Sequence, residues 1–170
     1  MKRSIALLLI LSIFMLIGCT DTQDEYMEPV NFYFPRINPG YGQADSLIHT
    51  EVWEGRNYNT VAMLDLYFHG PKDPESRNFF PTGTRITSVG FGDNTLIINV
   101  SDEFAALSGI ELYVACACIY ATGSELFDLD IVEIKAATAL LDGKTSIIMD
   151  ESTHLLQDVI VTPAPTGGTE

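Results

Sequence analysis

The chain has 170 residues, which suits a single domain at roughly 100–200 residues per domain, and its 46% hydrophobic and 10% aromatic content is too apolar for a disordered chain. Its formal charge of −14 becomes more negative still if a leader bearing Lys2 and Arg3 is removed. That charge excludes nucleic acid as a partner and repels anionic lipid, so any membrane attachment must be covalent or apolar.

Met1-Lys2-Arg3 is a basic start, and Ile5 to Ile17 is an apolar run of signal-peptide length, shorter than the roughly 20 residues of a spanning helix. The run ends Leu16-Ile17-Gly18-Cys19 and resembles a bacterial lipobox: branched apolar residues, a small residue, then the cysteine. In lipoproteins of that type the leader is cut before the cysteine, whose thiol carries diacylglycerol. The resemblance makes 1–18 a signal peptide and Cys19 the lipidated first residue of the mature chain; the plainer alternative is a cysteine beside an ordinary cleavage site. Each buried methylene adds roughly 0.8 kcal/mol, so acylation at Cys19 anchors the domain on the extracytoplasmic face of the cell membrane. Residues 19–28 carry Asp21, Asp24, Glu25 and Glu28 and read as an acidic, solvated tether. A calcium site is the less favoured reading, because a flexible run does not preorganise the roughly six to eight oxygens calcium takes.

The domain is expected over 29–161. Val30 to Phe34 is a strand fenced by Pro29 and Pro35, with Val30, Phe32 and Phe34 on one face. Asn38 to Gly42 is a loop, and Leu47 to Trp53 a second strand with Ile48 and Thr50 opposed to His49, Glu51 and Trp53. Asn59-Thr60 caps a helix whose Val61, Leu64 and Phe68 recur at helical spacing and which Gly70-Pro71 stops; Lys72 to Asn78 is a polar loop. Thr84 to Phe91 and Thr95 to Ser101 form a hairpin across Gly92-Asp93-Asn94, with Leu96, Ile98 and Val100 inward, and the rest of the chain is expected to pack on it. Ser108-Gly109-Ile110-Glu111 has the form of a capping box, opening a helix with the stripe Ile110, Val114, Ala117, Cys118 and Ala121 that runs past Gly123 to about Phe127. Asp130 to Ile134 is a strand, Asp142-Gly143-Lys144 a turn and Ser146 to Met149 a last short strand. Leu155 to Val161 is apolar enough to pack as an added element, and 162–170 is expected to be a disordered tail. The fold class is α+β: a single two-layer domain with a small mixed or antiparallel sheet and a central hairpin packed by two helices.

This order of elements and motifs resembles the GerMN domain of sporulation and germination lipoproteins. Val30 to Phe34 resembles the family's opening strand, Leu64 to Pro71 its helix end before glycine and proline, and Phe80-Pro81-Thr82-Gly83-Thr84 its signature bend. Asn99 to Phe104 resembles the close of its hairpin. Where the family helix usually ends in threonine, leucine, threonine, glutamate and phenylalanine, this chain has Thr122-Gly123-Ser124-Glu125-Leu126. The resemblance implies a non-catalytic scaffold or adaptor of the envelope, acting through other envelope proteins or through self-association.

No residue set points to a reaction. Cys116 and Cys118 lie two apart on a predicted helix, about 200° from each other, so they neither bridge nor share a metal and read as small core hydrophobes. His49, His69 and His154 lie in separate elements, and no metal or cofactor is expected. Asp128 with Asp130, or Asp102 with Glu103, would serve as acid and base for glycan cleavage, but such pairs arise freely among 23 acidic residues. Trp53, Tyr58 and Tyr67 form either a sugar or partner platform or part of the core, and the core is favoured. Arg85, Asp102 and Glu103, near the central bend, are the candidate partner contacts. The alternative to the scaffold reading is a cell-wall lipoprotein that binds or hydrolyses glycan.

Overall fold

A computed structural model of the chain describes residues 29–37, 47–54 and 59–153. The leader, Cys19, the acidic tether, the 38–42 loop, Tyr58, His154, the 155–161 segment and the tail lie outside the described residues. Strand β1 (Val30–Pro35) pairs antiparallel with β2 (Ile48–Trp53). Alternation turns Phe32 and Phe34 fully inward from β1. On β2 the opposition of Thr50 to Glu51 and Trp53 is observed, but Ile48 is buried, while Val52 faces solvent and Glu51 and Trp53 face inward.

Helix α1 (Thr60–Phe68) starts where the Asn59 side-chain oxygen accepts the Ala62 amide at 2.7 Å. Its buried face is Met63, Leu64, Tyr67 and Phe68. Val61, expected on that face, is 43% exposed, because it lies about 90° around the helix from the centre of the stripe. Gly70 ends the turn at φ 99, where a Cβ would stand 2.6 Å from the Asn78 side chain, so both conformation and space demand glycine. Tyr67 then packs among Phe32, Phe34, Phe68 and Phe80, with ring centroids 4.8–5.7 Å apart.

Strands β3 (Ile86–Gly92) and β4 (Thr95–Val100) form the hairpin, with Asn94 at φ 54 in the turn and a bulge between Ile86 and Ser88. A short 3-10 helix (Asp102–Ala106) leads into α2 (Gly109–Phe127), which crosses to β5 (Ile131–Lys135), parallel to β4; β6 (Ser146–Met149) closes antiparallel on β5. Asp142 and Gly143 both take positive φ and make the tight turn between bridged Leu141 and Lys144. The result is an α+β domain with a four-stranded mixed sheet, β3-β4-β5-β6, and a two-stranded antiparallel one, β1-β2.

The hairpin is one wall of the domain, and α2 is its axis. The helix packs on β1 on one side and on β4, β5 and β6 on another. Residues 115–120 are consecutively buried, so the predicted single stripe widens to the whole circumference, and Ile110, in the first turn, is instead 67% exposed. Enclosure of this kind explains a helix long and apolar enough to cross a bilayer that instead serves as a core. The capping box does not form: Ser108 is the N-cap without a side-chain bond, and Glu111 pairs with Arg77 at 3.1 Å. Gly123 is fixed by close approach, since a Cβ there would lie 2.8 Å from Leu96 Cδ2 in the closed core.

One turn near the helix end ties α2 to β1. The Thr122 hydroxyl accepts the Tyr33 amide at 3.1 Å, and the Tyr67 hydroxyl donates to the Tyr33 carbonyl at 2.9 Å. The Asn31 amide and the Tyr33 hydroxyl each donate to the Glu125 carboxylate at 2.7 Å. Thr122→Val keeps the shape and removes the acceptor from a sequestered amide, and should lower unfolding free energy by about 1–3 kcal/mol in a urea titration. An unchanged midpoint would show that water replaces the hydroxyl.

Candidate functional site

The β3 entry, the β4 exit and the β5 end meet around a cleft of about 520 Å³, lined among others by Arg85, Ser101, Asp102, Glu103 and Lys135. Ser101 builds its floor. Its amide donates to the Arg85 carbonyl at 2.9 Å, and its hydroxyl accepts the Arg85 amide at 3.1 Å. All three sequence-derived contact residues therefore fall on one wall, but in unequal roles. Arg85 and Glu103 face each other at 3.9 Å with side chains 67% and 43% exposed, whereas Asp102 accepts the Thr138 amide at 3.0 Å and anchors the segment after β5. The Ser101 hydroxyl, then the helix-start backbone and the Arg85 guanidinium, hold the Glu103 carboxyl below its ordinary range. Glu103 is thus a stable anion near neutral pH and a poor proton donor.

Lys135 joins this wall through tertiary pairing. The parallel β4–β5 register sets it beside Asn99, and its ammonium meets Glu133 at 2.9 Å. The cleft so brings two cations and two carboxylates together at the hairpin's base.

A second cleft, of about 740 Å³, opens along β2 and is lined by residues 50–54, Leu66, Lys72 and Asp73. Glu51 is only 6% exposed, and its carboxylate accepts the Trp53 indole N–H at 3.0 Å and the Lys72 and Asp73 amides at 3.1 and 3.2 Å. The carboxylate compensates burial with three donors and pins the loop after α1 to β2. Trp53 is 5% exposed; Phe32 lies 4.7 Å from its ring and the Lys72 ammonium 3.3 Å above it. His49 stands 3.3 Å from Asp73 at the same edge. Sequence reasoning placed Trp53 and Glu51 on one strand face but missed Lys72, whose place depends on the loop returning over β2.

Of the proposed aromatic platform, Tyr67 is fully buried, and burial holds its hydroxyl well above the usual range. The pair Asp128 and Asp130 is spent on structure: Asp128 ends α2 in the left-handed region, and Asp130 accepts the Asn94 side-chain amide at 2.6 Å. Cys116 and Cys118 are free and buried, and desolvation pushes the Cys116 thiol up to about 12 and the Cys118 thiol further. Among the described residues no cluster of three or more His, Cys, Asp or Glu is placed to hold a metal ion.

No family model matches the chain, and no curated protein does. Among solved structures the chain is similar to a candidate lipoprotein from Clostridium perfringens, at 18% identity over 73% of this chain and 87% of that one, with a TM-score of 0.45. It is also similar to the tandem GerMN domains of the sporulation protein GerM from Bacillus subtilis, at 16% identity over 71% of this chain and 42% of that one, with a TM-score of 0.48. The chain thus spans less than half of the tandem protein. The GerMN-like motifs read from the sequence fall on β1, the end of α1, the bend before β3 and the close of β4.

The depressed Glu103 value contributes stability that is whole above the ordinary carboxylate range and is lost as pH falls through the folded value. In an NMR titration of its carboxyl, Ser101→Ala should raise the midpoint more than Arg85→Ala, and the reverse order would make the guanidinium the larger cause. The two helix thiols should resist iodoacetamide at pH 8 in the folded chain and react after unfolding, as site-resolved mass spectrometry would read; labelling before unfolding would contradict their burial.

Proposed function

We propose that the chain is a lipid-anchored protein of the extracytoplasmic membrane face whose GerMN-like domain is a non-catalytic scaffold or adaptor in an envelope complex, in a sporulation or germination setting. The run Leu16-Ile17-Gly18-Cys19 carries this reading: an apolar leader ends on a small residue and a cysteine, the pattern that lipoprotein processing requires. Acylated Cys19 holds the chain at the bilayer, and the acidic 19–28 tether spaces the domain from a surface that repels it. Arg85, Asp102 and Glu103 are the proposed contact with an envelope protein or a second copy. The exposed Arg85–Glu103 pair sets the orientation of approach, and Asp102 keeps the wall rigid.

The Trp53 cleft favours a second reading, cell-wall glycan binding or hydrolysis, since aromatic and carboxylate side chains line it. The Glu51 carboxylate weighs against it, because it already serves three donors.

In-cell crosslinking with mass spectrometry tests both readings. The native chain should carry an acyl group on Cys19 and crosslink to a reproducible membrane protein or to itself, and Cys19→Ala should leave the membrane fraction. Charge reversal by Arg85→Glu should weaken the crosslink about tenfold, and Arg85→Glu with Glu103→Arg should recover part of it if the pair docks as a unit. An unmodified Cys19 would overturn the anchor, and recovery of glycan without protein would replace the scaffold by the wall-directed reading.

A further inference from the structure

Lys72 sits in the second cleft as a ligand would. Its ammonium lies 3.3 Å above the centre of the Trp53 ring, where the ring quadrupole attracts a cation. Glu51, Glu54 and Asp73 line the same cleft, Glu51 serving the indole and two loop amides and Asp73 facing His49 at 3.3 Å. The seat is built from fixed parts: the indole is held through its N–H by Glu51 and packed on Phe32 at 4.7 Å, and Glu51 is held in turn by the Lys72 and Asp73 amides. The occupant is held differently. The Lys72 backbone is anchored, but its side chain is exposed, so it can turn outward without moving the ring, the carboxylates or the loop.

We propose that this cleft receives the lysine side chain of a basic protein segment, which displaces Lys72 from Trp53. The present occupant is itself a lysine, so this face of the ring already accommodates an ammonium. Val52 and Leu66 supply apolar surface for the stem. The volume of about 740 Å³ admits residues on either side of the inserted lysine. The chain's charge of −14 draws a basic partner and disfavours an acidic one. Lys72 then acts as an internal competitor, and the apparent affinity of the incoming lysine is reduced by the fraction of time Lys72 holds the seat.

Trp53 is the chain's only tryptophan, so its emission reports this cleft alone. A short peptide with one central lysine is titrated into the full chain, its Lys72→Ala variant and its Lys72→Gln variant, the last retaining a stem over the ring should the alanine variant fail to fold. The peptide should shift Trp53 emission and bind the variants about tenfold more tightly than the native chain, while the same peptide acetylated on its lysine should have no effect. No response in either folded variant, or an equal response to the acetylated peptide, would overturn the proposal. Binding of glucosamine oligomers in place of the lysine peptide would overturn the assignment to a protein and give the seat to an amino sugar of the wall. The Cys19 anchor plays no part in this titration, so its outcome stands apart from the scaffold reading.

Discussion

The outer edge of β1 has to be closed, and the rest of the domain follows from how that is done. The Tyr33 amide and carbonyl both point away from β2 and have no strand to receive them. Left unpaired inside the protein, each would cost free energy comparable to a lost hydrogen bond. Thr122 from α2 takes the amide, and Tyr67 from α1 serves the carbonyl. Further along, the Pro35 carbonyl accepts the Arg77 amide and the Ile37 amide reaches the Glu75 carbonyl, so the loop after α1 covers what the helices do not. A strand edge that would otherwise invite another chain becomes the joint between the smaller sheet and the helices.

That joint sets the position of α2, and α2 sets the larger sheet. Gly123 brings the helix backbone close to Leu96 of β4, with Val132 of β5 at the same spot. A helix gripped from two directions needs apolar residues all round, which is why small side chains such as Ala115, Cys116, Ala117 and Cys118 follow one another without a polar break. Their thiols have lost their acidity for the same reason.

Both clefts are by-products of this framework that acquire chemistry from the chain's ends of elements. At the base of the hairpin, the crossover through α2 returns β5 parallel to β4 and delivers Lys135 beside the wall formed by Arg85 and Glu103. Along β2, an inward glutamate recruits two loop amides and an indole, and the loop so captured lays Lys72 over Trp53. In each case a polar group placed where it must find partners has organised the residues that line the cleft.

The sequence by itself determined the local elements: the prolines around β1, Asn59 at the head of α1, Gly70-Pro71 at its end, and alternating Leu96, Ile98 and Val100 on β4. Those features depend on backbone propensity and period, which neighbours along the chain decide. It also brought Arg85, Asp102 and Glu103 near one another, because they flank the open ends of the two paired hairpin strands. Tertiary structure decided the rest. Glu111 went to Arg77 in place of a capping box, Val61 and Ile110 fell outside the core, Glu51 turned inward, and Lys72 and Lys135 entered the clefts. The placements of Glu111, Glu51, Lys72 and Lys135 depend on partners far along the chain, whose competing hydrogen bonds or packed surfaces outweigh a local preference of only about 1 kcal/mol, whereas Val61 is left out by its angle on α1.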